Sequence, residues 1–200
     1  MSFTLMPVVE GHADAKAIPI LLRRICAEIF GRWDILIREP WRLPRSKMVI
    51  PAEIRRVYYP LSKGAVGGPG AIVVVLDQDD DHDISELVDR VSEPMADMAD
   101  LRVVVACREY EAWFLGGIES LRVHRSVRDD ASFDSDPEAP RDAKGRLRQL
   151  MNEPYRETLH QPAFTELLSI GAARQRCPSF DHLVQAVGEL IGTTNARCSE

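Results

Sequence analysis

No uninterrupted apolar run in this 200-residue chain is longer than Ala71–Leu76, far short of the roughly 20 residues a membrane-crossing helix needs. The four cysteines, Cys26, Cys107, Cys177 and Cys198, are scattered without a CxxC pair, and no apolar signal segment with a charged start precedes them. A reduced, cytoplasmic protein with no membrane partner is the expectation. The five histidines show no HxH or HExxH pattern and no pairing with cysteine, which disfavours zinc. Neither a GxSxG element nor a Walker loop occurs; the glycine-rich stretch 64–70 lacks the lysine–serine ending and precedes an apolar run, so it reads as a flexible loop or a lid. Positive net charge is missing as well. The 25 basic and 31 acidic residues leave −6, which at face value argues against a polyanionic partner.

What is present is enough for one domain with an appendage. With 45% hydrophobic and 28% charged residues, the chain can bury a core and is too apolar for wholesale disorder. The charge is also polarised along the chain. Residues 16–63 hold 11 basic against 4 acidic residues, +7, whereas residues 64–139 hold 6 against 18, −12. A basic third abuts an acidic third, as a metal site beside a polyanion groove would; pairing and simple solvation of the same charges remain open.

Apolar patterning predicts alternating strands and helices. Thr4 to Val9 reads as a strand ending in a turn at Glu10-Gly11, and Ala13 to Phe30 carries helical spacing with Asp14 in its first turn, where an acid suits the helix dipole. A strand over 34–38, a helix over 52–61, a buried strand over 71–76, a helix over 84–98 and a second buried strand over 101–106 follow. Continuous β-branched runs such as Ala71–Leu76 suit a parallel strand covered on both faces. The expected fold is α/β, a mainly parallel sheet flanked by helices over 1–125, with a loop and helical extension over 126–200 packed on it; helical pieces are expected near 141–151, 162–168 and 180–191.

Ligands of open parallel sheets gather at the carboxyl ends of the strands. Here those ends are acidic: Glu10 after the first strand, Asp77 and Asp79 after the third, Glu109 and Glu111 after the fourth. Clustered carboxylates repel unless a hard cation neutralises them, and oxygen-only ligands suit Mg²⁺ or Mn²⁺. Asp80, Asp81 and Asp83 read more simply as loop or capping residues, with Asp83 the N-cap of the helix beginning at Ile84. Glu109 and Glu111, two apart, would point about 200° from each other on a helix. Either the helix begins after Glu109 or only one of them ligates.

The strand–Glu10–Gly11 start, the strand–Asp77-Gln78-Asp79 segment and the Glu109 region resemble the three acidic motifs of Toprim domains, the metal-binding fold of topoisomerases, primases and nucleases related to the overcoming-lysogenization-defect (OLD) proteins. More closely, Val9-Glu10-Gly11, the segment Glu109-Tyr110-Glu111-Ala112-Trp113-Phe114-Leu115 and the tail elements Tyr155, Thr158, Gln161 and Pro178-Ser179-Phe180 resemble the bacterial domain-of-unknown-function family 4276. The resemblance implies a Toprim-like fold with a divalent-cation site and, for related proteins, nucleic-acid cleavage in phage defence beside a partner ATPase. It places Glu10 at the first-motif glutamate, Asp77 and Asp79 at the second-motif pair, and Glu109 and Glu111 at the later acidic motif.

The expected activity is therefore divalent-metal-dependent phosphodiester hydrolysis of DNA or RNA, with Glu10, Asp77 and Asp79 catalytic and metal-binding, and Glu109 and Glu111 further candidate ligands. Arg42, Arg45, Lys47, Arg55, Arg56 and Lys63 are candidate phosphate contacts because arginine forks match phosphate oxygens. Lys144, in a second basic stretch with Arg141, Arg146 and Arg148, is a candidate cation beside the metal site. The competing reading is a non-catalytic Toprim-like module that binds a partner ATPase through its helical tail.

Overall fold

The computed structural model describes residues 2–62, 70–79, 83–95 and 100–192. Its sheet is built from β1 (Thr4–Val9), β2 (Leu36–Ile37), β3 (Trp41–Arg42), β4 (Gly70–Asp77) and β5 (Asp100–Ala106). The order is β2-β1-β4-β5, with β3 also on β1, and every ladder among these strands is parallel. β2 and β3 pair with opposite ends of β1, at Thr4–Leu5 and at Val8–Val9. They form one interrupted edge where a single strand over 34–38 was expected; Pro40 lies in the gap, and proline cannot donate to a ladder.

Helices cover both faces. On one lie α1 (Asp14–Arg24), which runs on into a π-helical turn over Ile25–Ile29, and α5 (Glu111–Gly116), α6 (Ala143–Gln149), α7 (Glu157–Leu167), α8 (Ile170–Arg176) and α9 (Pro178–Gly192). On the other lie α2 (Arg45–Met48), α3 (Pro51–Ser62) and α4 (Ile84–Ser92). Alternation along the strands assigns the faces. Leu5, Val9, Val73, Val75 and Val104 join the first core, and Met6, Val8, Ile72, Val74, Val103 and Val105 the second.

Three boundaries depart from expectation for local reasons. The helix expected over 84–98 ends at Ser92 in a 3-10 turn over Glu93–Met95, because Pro94 removes a backbone donor and restricts the residue before it; residues 96–98 lie outside the described set. α7 begins at Glu157 instead of 162, with Pro162 inside it. α8, absent from the expectation, starts where the Ser169 hydroxyl accepts from the Ala172 amide, an N-cap that local polarity conceals. The first core is continuous from Phe3 to Ile191, so residues of the 1–125 and 126–200 segments share it. No described helix is long and apolar enough to cross a membrane.

A carboxylate pocket at the sheet edge

Because β1, β4 and β5 are parallel and adjacent, their carboxyl ends open on one edge. Glu10 leaves β1, and α1 begins one turn later at Asp14. The Asp14 carboxylate accepts from the Gly11 amide at 3.1 Å and from Gln161 Nε2 of α7 at 2.7 Å. A Cβ at residue 11 would come within 2.7 Å of Asp14 Oδ2, so glycine is what lets this short loop close over the acid.

Asp77 ends β4, and its Oδ1 accepts from the Tyr110 amide at 2.9 Å. Beyond it, the turns after β4 and β5 interlock. The Gln78 amide donates to the Ala106 carbonyl and the Asp79 amide to the Arg108 carbonyl, while the Arg108 amide donates to Gln78 Oε1 at 3.3 Å. Asp79 and Arg108 both have left-handed backbones, φ 51° and 65°. Non-glycine residues in this region are strained, and such strain persists where surrounding structure enforces it.

These elements enclose a pocket of about 170 Å³ lined by Glu10, Asp14, Asp77, Asp79 and Glu111, with Tyr110, Lys144, Glu157 and Gln161 completing its wall. Electrostatics show the strain of assembling like charges. Burial drives the Asp77 carboxyl well above its usual range, and the neighbouring Asp14, Glu111 and Asp79 charges add to the rise against the Tyr110 hydrogen bond. Burial likewise pushes Glu111 up to about 7, partly opposed by Lys144. Glu10 is raised by burial despite the Arg45 guanidinium beside it. Burial by itself opposes the Lys144 charge, but Glu111, Glu157 and Glu109 outweigh it and raise the ammonium group's pKa.

The structure separates the two later glutamates. Helix α5 begins at Glu111, which is buried and faces the pocket. Glu109 lies before the helix, and its carboxylate accepts from the Lys144 amide at 2.8 Å. The expected basic face is likewise divided. Arg45 turns inward: its Nη1 donates to the Asp77 carbonyl at 2.7 Å and lies 3.2 Å from Asp79 Oδ2 and 3.8 Å from Glu10 Oε2. Arg42 and Lys47 are exposed, Arg55 donates to the Pro94 carbonyl, and Arg56 pairs with Glu53 on α3. Lys144 stands inside the pocket wall, its Nζ 2.9 Å from Glu157. Lys63, Asp80, Asp81 and His82 lie outside the described residues. Asp83 caps α4 as expected, accepting from the Glu86 amide.

The donor set suits a hard divalent cation in chemistry and in charge: it is all oxygen and clustered, and burial raises the pKa of Glu10, Asp77 and Glu111 within it. Among the described residues, however, no three His, Cys, Asp or Glu side chains are arranged so that they could hold a metal ion.

Fold and pocket together define the class, an α/β protein with a parallel sheet flanked by helices, whose strand ends and the loops and helices after them bring carboxylates to one edge. The chain belongs to the domain-of-unknown-function family DUF4276, which it matches over residues 9–188. Among solved structures it is similar to the C-terminal region of the Xanthomonas campestris pv. campestris OLD protein, at 14% identity and a TM-score of 0.47, over 96% of this chain and 97% of that one. No curated protein matches it.

Proposed function

We propose that the protein is a divalent-metal-dependent phosphodiesterase acting on nucleic acid, with the edge pocket as its active site. The observation that supports this most is the delivery of Glu10 and Asp77 from the ends of two adjacent parallel strands, joined by Asp79, by Asp14 of α1 and by Glu111 at the start of α5, into one small pocket. Glu10, Asp77, Asp79 and Glu111, which are not grouped to hold an ion as they stand, would have to draw together around Mg²⁺ or Mn²⁺, with Asp14 fixed in place by Gln161 and Gly11. When bound, the ion would supply Lewis acidity toward a phosphoryl oxygen and a more acidic water. The protein's own part is placement: Asp77 is held by the Tyr110 amide, and the Lys144 ammonium and Arg45 guanidinium offer positive charge toward phosphate oxygens at the pocket's two sides. Anti-phage defence beside a partner ATPase is the setting that the family resemblance suggests.

Purified protein incubated with DNA and with RNA, plus Mg²⁺ or Mn²⁺, should cleave one of them, and Asp77→Asn should abolish cleavage. Cleavage that survives this change would overturn the site assignment. A second reading, a non-catalytic module that binds a partner ATPase, draws support from Arg45, which already serves as a counter-ion to Glu10 and Asp79. It requires that calorimetry detect no Mn²⁺ binding and that the ATPase still bind a variant lacking the pocket carboxylates.

A further inference from the structure

The pocket's size limits what it can receive. About 170 Å³ is below the roughly 300–1,000 Å³ of sites that enclose organic ligands. It has room for an ion and a phosphoryl group, so the sugar and base of any nucleotide must lie elsewhere. On the opposite side of Glu10 a second cleft opens between α2 and α4, with a volume of about 740 Å³. Glu10 lines both spaces, and Arg45, which lines the cleft, reaches across to Asp79.

The chemistry of the cleft differs from that of the pocket. Pro44, Val49 and Leu87 give it apolar surface. Ser46 and the guanidinium of Arg90 supply donors, and Asp83 and Glu86 supply acceptors. Each acid there already has a partner: Glu10 has Arg45, Glu86 lies 4.0 Å from Arg90, and Asp83 accepts from the Glu86 amide at 2.9 Å and the Ser85 hydroxyl at 2.7 Å. With three acids against two arginines, such a wall is nearly balanced in charge. It suits a flat, amphoteric, uncharged group with donors and acceptors at its edge, which describes a nucleobase with its ribose. Exposed Arg42 and Lys47 flank the lining segment 44–46 in sequence, available to backbone phosphates beyond it.

We infer that the α2–α4 cleft binds the nucleotide adjoining the scissile phosphate, so that a nucleic-acid strand crosses the Glu10–Arg45 bridge with its base on one side and its reacting phosphate on the other. This rests on the phosphodiesterase reading for its orientation but is tested apart from it. Fluorescence anisotropy in EDTA would follow the binding of a labelled hexanucleotide, as DNA and as RNA, to the full chain. Ser46→Trp, which fills the cleft from an exposed position, and Arg90→Ala should each weaken binding of the tighter hexamer about tenfold, the size of one lost base contact, and an abasic hexamer should bind wild type equally poorly. Mn²⁺ affinity measured by calorimetry should be unchanged in both variants. The inference is overturned if wild type binds neither hexamer, if both variants bind like wild type, or if the abasic hexamer binds as well as the intact one. Strand binding with no Mn²⁺ binding and no cleavage would instead overturn the phosphodiesterase reading and leave the cleft assignment standing.

Discussion

The two faces of the sheet are built differently. The face under α1 and α5–α9 is packed with rings: Trp113 lies 4.7 Å from Tyr110 and 5.3 Å from Phe180, and Phe114 lies edge-on to Phe164 at 5.6 Å. It is also tight, since a Cβ on Gly116 would lie 2.5 Å from Cys177 Sγ. The described core of the face under α2–α4 holds no aromatic side chain and consists of Met, Val, Leu and Ile. The pocket side chains Asp14, Glu111, Lys144, Glu157 and Gln161 come from helices of the ring-packed face, whereas the larger cleft opens on the aliphatic one. Dense, interlocked packing is what holds charged groups in a costly arrangement, and the larger cleft lies on the face whose described core is aliphatic.

The sharpest way to break this comparison is Trp113→Ala. It removes the largest fully buried side chain and leaves Ser179 Oγ without the indole donor it has at 2.8 Å. Loss of about 3–5 kcal/mol in urea denaturation is expected. A loss below about 1 kcal/mol would mean that the ring-packed face is not the stability anchor.

Glu111→Gln probes the charge that this face supports. The wild-type carboxyl is raised in the folded protein from 4.5 to about 7. Its neutral form is therefore favoured by folding: the contribution is intact below pH 4.5 and is lost as pH rises through about 7. In metal-free buffer, wild-type stability should fall across that window and Glu111→Gln should make the fall shallower, with a difference on the order of 3 kcal/mol at pH 8, while the raised Asp77 and Glu10 keep the remainder. Identical pH profiles of the two melting temperatures would refute it. If the pocket takes a cation as proposed, millimolar Mn²⁺ should stabilise wild type at pH 8 and leave the variant less affected.

On the aliphatic face, Ile54→Val should cost only about 1 kcal/mol and leave Mn²⁺ affinity untouched. A change in metal affinity from this position would show that the two faces are coupled through the sheet.

Much of this organisation is legible in the residues, for identifiable reasons. β1, β4 and β5 each approach their carboxyl end on an apolar run, Leu5–Val9, Ala71–Leu76 and Val103–Ala106, so the strand ends, and with them Glu10, Asp77 and Asp79, can be located directly. Asp14 is hidden because a first-turn acid has a sufficient local explanation in the helix dipole; only its spacing of four from Glu10 hints that it returns to the same edge. The choice between Glu109 and Glu111 depends on where α5 begins, and the Tyr110 and Lys144 amides that engage Asp77 and Glu109 leave no local pattern. Glu157 and Gln161 come from a helix far along the chain, beyond the reach of any spacing rule. Composition identifies an arginine-rich segment but not that Arg45 turns back onto acids, which follows from the short α2 beginning beside the end of β4.

The paired left-handed residues Asp79 and Arg108 have a consequence for how such a sequence can drift. Glycine would adopt either backbone without strain, so Arg108→Gly is expected to raise the melting temperature slightly, and Asp79→Gly would do the same while deleting a pocket acid. Selection for stability alone would carry both positions toward glycine. A lineage that keeps an aspartate at 79 in this backbone is retaining the carboxylate against that drift, which makes residue 79 a sequence marker: relatives with glycine there are expected to have kept the fold and given up the pocket.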